Sequence, residues 1–309
     1  MDHPITTVSV IICTHNPRPD YLSRALEALK GQTLPQKDWE LLIVDNGSDC
    51  PVSSLVELSW HPKASIVAEN EIGLTRARLQ GIKESRGDLI VFVDDDNVLF
   101  DDYLSTAVEI ARNDPKIGVF GAGIIRAEFE TPPNDEIRPH LHRLAIREES
   151  RDFWGNLLHF GSHLPFGAGL CATRDCAQLY VEDVSRVERS KELDRRGGVL
   201  TSAGDLHLGL TACRHGYLAG VTPRLQLTHL IPPSRCKADY VTRIAEGTMY
   251  SLQLVQTLIL GIPPMSENPV MHRVRVWRRK SQLSGLDRSV FLAEQRGLQR
   301  ALSELKRVC

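Results

Sequence analysis

An α/β protein with a mainly parallel sheet flanked by helices, and with a helical carboxy-terminal extension, is the fold class this sequence predicts. Three observations carry the prediction. Short β-branched apolar runs alternate with amphipathic segments from residue 8 to about residue 113, the pattern of repeated strand–helix–strand units with right-handed crossovers. Two of those runs end abruptly in acidic loops, Asp45-Asn46-Gly47-Ser48-Asp49 and Asp94-Asp95-Asp96-Asn97. Near residue 237 the pattern changes to a long amphipathic segment followed by a basic one.

The elements follow in order. Residues 8–13 read as a buried strand, and 20–30 as a helix with Tyr21, Leu22, Ala25, Leu26 and Leu29 on one face, closed by Gly31. Strands are expected at 39–44, 65–68 and 88–93. Between the last two lies a helix over 74–85 that turns Leu74, Ala77, Leu79 and Ile82 inward. Asp101 or Asp102 is expected to cap the next helix, which runs to about 113 with Pro115 beyond it. The segment 131–165, rich in proline and histidine, reads as loops around a site. A small-residue strand or turn at 166–169 and a short helix at 174–181 follow. A helix at 203–215, short strands at 218–221 and 225–228, a helix over 237–262 stopped by Gly261 and Pro263-Pro264, and a last helix at 289–306 complete the reading. Residues 1–235 are expected to form the catalytic domain, with 236–309 a helical segment packed on it.

Composition removes several classes. With 309 residues, 42% hydrophobic and 25% charged, the chain is globular, and its net charge of −2 lacks the basic footprint of a nucleic-acid binder. The seven cysteines are scattered with no C-x-x-C pair, so neither a disulfide framework nor a zinc site is expected, and reduced thiols point to the cytoplasm. No basic-then-apolar leader opens the chain. The stretch 249–262 is too short and too polar, with Gln253 and Gln256, to cross a membrane.

In an open parallel sheet, ligands bind beyond the carboxyl ends of the strands, where both acidic loops are expected. Asp94 and Asp96 are two apart, so on extended chain they share a side, with Asp95 opposite. Paired carboxylates there suit a hard divalent cation, manganese or magnesium, that can bridge the oxygens of a diphosphate and stabilise it as a leaving group. A mere helix cap is the structural alternative, but Asp101 and Asp102 already serve that purpose.

At these residues the sequence resembles a known family. Segments 8–16, 44–49, 69–82 and 91–97 are similar, in order, to the inverting family 2 glycosyltransferases, which have the GT-A, Rossmann-like fold, and the likeness extends over roughly residues 6–235. It implies nucleotide-sugar contacts at Thr14, Asn16, Asp45, Asn70, Arg76, Asp94, Asp95, Gly167, Ala168 and Gly169. Asp45 would meet the base, Asp94 would lie near the ribose and diphosphate, and Asp96 would ligate the metal. The family often has Asp-Asp-Gly where this chain has Asp45-Asn46-Gly47. Physically, Gly73 permits a tight turn into a helix whose start, with Arg76 or Arg78, offers positive potential. UDP is the first expectation for the nucleotide, with a saccharide or lipid-linked acceptor in surface polysaccharide or glycan synthesis.

An inverting transfer needs a base for the acceptor hydroxyl. Asp205 resembles the aspartate of the family's Glu-Asp motif, with Gly204 standing where the glutamate would be. His229 resembles a carboxy-terminal histidine that some GT-A enzymes place on the metal. Trp154 is a candidate for stacking on an acceptor sugar or for the core. Arg273, Arg275, Arg278, Arg279 and Lys280, interleaved with Val274, Val276 and Trp277, read as a solvated face or as a peripheral contact with the inner face of a membrane. A nucleotidyltransferase should carry a Gly-rich basic loop where Thr14-His15-Asn16-Pro17 stands. A catalytically silent sugar-binding module would be expected to lack Asp96 or Asp205, and a dinucleotide oxidoreductase would carry G-x-G-x-x-G after the first strand.

Overall fold

Alternation along the first strands decides where two cores form. In β1 (Val8–Thr14), Val8, Val10 and Ile12 enter one core and Ile11 the other. After α1 (Pro19–Lys30), β2 (Trp39–Asp45) repeats this with Trp39, Leu41 and Ile43 against Leu42 and Val44. Past β3 (Ala64–Ala68) and α2 (Leu74–Glu84), β4 (Leu89–Val93) does the same with Leu89, Val91 and Val93 against Ile90 and Phe92. Strands apolar on both faces need helices on both faces. Beyond β5 (Asn97–Leu99), α3 (Tyr103–Asn113) joins α1 over the first core through Leu104, Ala107 and Leu22, Leu26, Leu29. The second core is closed by Ala77 and Ile82 of α2, Cys176, Tyr180 and Val184 of α4 (Arg174–Arg186), and Leu208 of α5 (Gly204–Arg214).

This computed structural model describes residues 7–195, 200–263 and 269–306. Residues 1–6, Pro264 and Cys309, which entered the sequence reading, lie outside the described residues.

The sheet is mixed: its long ladders are parallel, as expected, and short antiparallel strands join them. Its remaining strands are β6 (Ile117–Phe129), β7 (Arg147–Glu148), β8 (Phe153–Gly155), β9 (Cys171–Thr173) and β10 (Leu218–Ile231). The order is β3-β2-β1-β4-β9-β6-β10-β5, with β7 beside β6 and β8 beside β10. The parallel expectation holds for β3, β2, β1 and β4, and for β6 with β10. It fails at β9, which runs antiparallel to both β4 and β6, and at β5, antiparallel to β10. The three-residue β9 runs straight from the 166–170 turn into α4, so no crossover helix sets its direction.

Several boundaries also differ. The expected strands at 218–221 and 225–228 are one strand, β10, whose register on β6 shifts between Thr222 and Gln226. Pro223, which has no N–H to donate, sits in that break. The 174–181 helix extends to Arg186. Asp102 holds the N-cap of α3 without a side-chain bond, so the expected cap is positional only. On α2, Arg78 is buried while Leu74 and Leu79 are half-exposed. At the carboxy-terminal end, α6 (Ala238–Leu254) runs into a π-helical turn, Val255–Ile259. The basic stretch is helical, α7 (Pro269–Gln282), and α8 (Gly285–Leu305) ends the described chain. Tyr250 and Leu254 of α6 pack with Ala301 and Leu305 of α8 against Leu210 of α5. Among the described residues no helix is long and apolar enough to cross a membrane.

Candidate active site

Beyond the carboxyl ends of β1 and β4 lies a cavity of about 620 Å³. Thr14 and Asn16, all three aspartates 94–96, Gly167, Ala168, Asp205 and His229 line it, so the structure brings most of the expected site residues together.

The aspartates do not lie on extended chain. Residues 94–96 form a turn between β4 and β5, with the Asn97 N–H donating to the Asp94 carbonyl at 3.0 Å. The expected alternation, with Asp95 opposite, is therefore corrected: all three residues line the cavity, and Asp95 accepts from the Thr14 hydroxyl. Crowding three acids into a dry turn separates their behaviour. Burial, then the charge of Asp96, pushes Asp95 up to about 7 against the Thr14 bond, and the same two causes raise Asp94. Burial also acts on Asp96, but the basic side chains packed around it outweigh burial and hold its carboxyl below the usual range.

Asp96 lies against two basic side chains. Its Oδ2 lies 2.9 Å from Arg235 Nη2 and 3.5 Å from His229 Nε2. His229 Nδ1 donates to the Leu144 carbonyl at 3.0 Å, leaving the Nε2 lone pair to accept from Arg235 Nη1 at 2.9 Å. That tautomer is the one a metal-binding imidazole requires. The Arg235 guanidinium stands where two oxygen- and nitrogen-donor side chains converge, so the donor set fits a divalent cation with two protein ligands. Among the described residues no group of three or more His, Cys, Asp or Glu side chains forms a metal cluster.

Asp205 sits in the first turn of α5, where its Oδ2 accepts from the Gly167 N–H at 2.8 Å and its Oδ1 from the Leu206 N–H at 2.8 Å. The small-residue turn and the acid, distant in sequence, form one unit. Each oxygen keeps a lone pair for a further proton.

Other expected residues lie outside the cavity wall. Asp45 turns back to accept from the Ser48 and Val52 N–H groups at 3.1 and 2.9 Å, and these bonds outweigh burial to hold it below its ordinary value. Asn70 is off the wall, and Arg76 pairs with Glu71. Gly169 gives its carbonyl to the Tyr103 hydroxyl at 2.6 Å. Trp154 is packed across Gly220 in the sheet, beside Phe120, and is not a cavity residue.

Sequence reasoning missed Asn46, Asp194 and Arg235 and left Arg78 undecided against Arg76. Asn46 is 3% exposed; its amide donates to the Glu69 and Glu71 carbonyls at 3.0 and 2.9 Å and accepts from the Gly73 N–H at 2.8 Å. An aspartate there would face two carbonyls with no hydrogen to give, which explains Asp45-Asn46-Gly47. Gly73, at φ 153°, makes the turn that the latch closes. The buried Arg78 pairs with Asp194 at 2.7 Å. Tyr240, Ile244 and Thr248 of α6 complete the wall. Their helical spacing was legible, but not the side it would turn to the cavity.

Comparison with known proteins agrees with this geometry. Residues 9–168 match Glycosyl transferase family 2. An N-acetylglucosaminyltransferase of Mesorhizobium japonicum is 25% identical over 265 residues, 82% of this chain; the chain spans 60% of that relative's length. Among solved structures, S. aureus TarS 1–349 in complex with UDP-GlcNAc superposes with a TM-score of 0.56 at 14% identity, covering 84% of this chain and 68% of that one. The mannosyltransferase PcManGT of Pyrobaculum calidifontis, in complex with GDP-Man and Mn2+, gives 0.53 at 17% identity, covering 96% and 87%. The mixed sheet with its flanking helices is thus of the GT-A type. With over half its length matched by the family model, and with its acidic turn, Asp205 and His229 lining one cavity, the chain belongs to glycosyl transferase family 2.

Proposed function

We propose that this glycosyltransferase moves a sugar, with inversion, from a UDP-linked donor to a saccharide or lipid-linked acceptor in surface polysaccharide or glycan synthesis, with Asp205 as the base. The single observation that carries the reading is that Asp205, tied to Gly167, and the Asp94–Asp96 turn line the same cavity. As the acceptor hydroxyl oxygen attacks the anomeric carbon, its proton passes to Asp205 and the bond from that carbon to the diphosphate breaks on the opposite side. Gly167 and Ala168, without bulky side chains, let the donor sugar approach the backbone, and Thr14 and Asn16 lie toward the nucleotide. Asp96 and His229 are the residues that would hold a divalent cation, which would supply positive charge to the departing diphosphate. Arg78 and Arg195 add fixed positive charge to the wall. Residues 1–235 are the catalytic unit in this reading, with α6 closing one wall.

UDP-GlcNAc is the first donor to try, supported by the names of the Mesorhizobium relative and of the TarS complex. The cytoplasmic face of a membrane is the proposed location. Val270, Met271, Val274 and Trp277 of α7 are 46–69% exposed, and at 100° per residue they fall on one strip. Arg273 and Lys280 border the strip on one side and Arg275 on the other, Arg278 falls within it, and α7 carries no carboxylate. An apolar strip rimmed by cations complements an anionic lipid surface.

The test is a screen of UDP-, GDP- and dTDP-sugars, with manganese or magnesium, for thermal stabilisation and slow donor hydrolysis. Stabilisation and hydrolysis with a UDP-sugar are expected. No response to any nucleotide sugar would overturn the reading.

A further inference from the structure

The Arg78 side chain is 6% exposed and that of Asp194 4% exposed, and their 2.7 Å contact is the pairing such a buried cation requires. What surrounds the pair gives it a purpose. A Cβ on Gly204 would stand 2.3 Å from Asp194 Oδ2 and 2.9 Å from Arg78 Nη1. A Cβ on Gly167 would stand 2.7 Å from Arg78 Nη2 and 3.7 Å from Asp205 Oδ2. One edge of the guanidinium therefore lies against Asp194 and the start of α5, the other against the turn whose N–H holds Asp205. At either place a Cβ would push the guanidinium or the carboxylate aside.

Asp194 itself is tied down. Its carbonyl accepts from the Thr201 hydroxyl at 2.5 Å, its Oδ1 from the Arg195 N–H at 3.1 Å, and the Ala203 N–H bonds the Leu193 carbonyl at 3.1 Å. The segment ahead of α5 thus folds back so that one carboxylate fills the space over Gly204 and faces Arg78.

We infer that Asp194 is a positioning residue for transfer: through Arg78 it fixes the Gly167 turn, and with it the aim of the Asp205 carboxylate. This rests on Asp205 being the base. The positive charge of Arg78 is shared among Asp194, Asp205 and Asp94, so removing Asp194 leaves the guanidinium free to swing toward Asp205 or Asp94. The base would then be held by a salt bridge instead of standing open to a hydroxyl. Nucleotide binding, which depends on the wall formed by Thr14 and the Asn46 latch, would change little.

The experiment compares wild type with Asp194→Asn, Asp194→Gly, Gly204→Ala and the double variant Asp194→Gly/Gly204→Asp. UDP affinity is measured by calorimetry, kcat by donor hydrolysis, and folding by Tm. Asp194→Asn keeps the shape and removes the charge. It is expected to lower kcat about 10–100-fold while UDP affinity stays within about threefold. Gly204→Ala, which drives the carboxylate off Arg78, should do the same. The double variant, returning a carboxylate to Arg78 from the other side, should recover at least about tenfold over Asp194→Gly alone. Asp194→Asn with wild-type kcat, or a loss of kcat that merely follows Tm without recovery in the double variant, would overturn the inference. If Asp205→Asn is inactive while Asp194→Asn is normal, only this inference fails. If Asp205→Asn is itself normal, the base assignment fails first.

Discussion

The Gly167 N–H donates to Asp205 Oδ2 across 2.8 Å, joining a turn next to β9 to the first turn of α5. These are the turn proposed to receive the donor sugar and the carboxylate proposed to receive the acceptor's proton. A backbone bond between them fixes the base relative to the reacting carbon without spending a second side chain. Transfer by in-line displacement depends on such placement, because a misdirected base loses rate even when every group is present.

Asn46→Asp should weaken the site from behind. The substitution replaces two N–H donors with a carboxylate facing the Glu69 and Glu71 carbonyls and leaves buried acceptors unpaired, costing about 1–3 kcal/mol. Chemical denaturation should show that loss in global stability, and calorimetry a weaker affinity for UDP.

Arg235→Gln should tighten metal binding. The guanidinium occupies the point where Asp96 Oδ2 and His229 Nε2 converge, and a divalent cation cannot share it. Titration of the UDP-free protein with manganese, followed by calorimetry, should give a dissociation constant about tenfold lower in the variant. Equal or weaker binding would mean that Arg235 does not compete for the seat.

Stability should fall in acid in two steps, and one buried network contributes to both. Asp183 on α4 accepts from His207 Nε2 and the Thr211 hydroxyl of α5, each at 3.0 Å, and pairs with Arg214. Burial lowers the His207 pKa from 6.5 despite Asp183, and its Nδ1 finds no partner among the described residues. The folded state therefore binds fewer protons there than the unfolded one, and stability drops as pH falls below about 6.5. Asp183 is held at about 2 against an ordinary 3.8, since His207 and Arg214 outweigh burial. Its contribution is complete above pH 3.8 and disappears as pH falls toward 2. Urea midpoints measured against pH should show both steps, with Asp183→Asn shrinking the lower one, to which Asp45 and Asp96 also contribute.

The α7 strip predicts salt-sensitive binding to anionic vesicles. Trp277→Ala and the pair Arg273→Glu/Lys280→Glu should each reduce co-sedimentation, the charge pair more strongly at low salt, at about 1 kcal/mol per cation near the surface. No binding of the wild-type chain to anionic vesicles at low salt would dispose of the membrane contact.

What was legible in the sequence was whatever local patterning dictates. Strands β1, β2 and β4 announce themselves through unbroken apolar runs, and the acidic turn through its place after one of them. β6 was not legible, because Gly118, Gly121 and Gly123 interrupt the pattern of a strand that lies at the centre of the sheet. The antiparallel β9 is too short to carry a period. At the site, Asp96 could be singled out by its i, i+2 partner Asp94 at a strand end, and Asp205 by its resemblance to the aspartate of the family's Glu-Asp motif. Asp194 and Arg235 could not, because what matters about them is a partner far along the chain: Arg78 in one case, Asp96 in the other. For Asp45 the position was legible but not the bonds its carboxylate accepts from the Ser48 and Val52 amides of its own loop.

Asp205→Asn tests the central claim most directly. Asparagine preserves the size of the side chain and can still accept from Gly167, but it cannot take a proton from a hydroxyl. With a UDP-sugar donor, the variant should fold with a Tm near wild type, bind UDP within about threefold, and lose about 10²–10⁴-fold in transfer rate. A variant whose rate stays within a few-fold of wild type, or a wild-type product with retained anomeric configuration, would contradict the account.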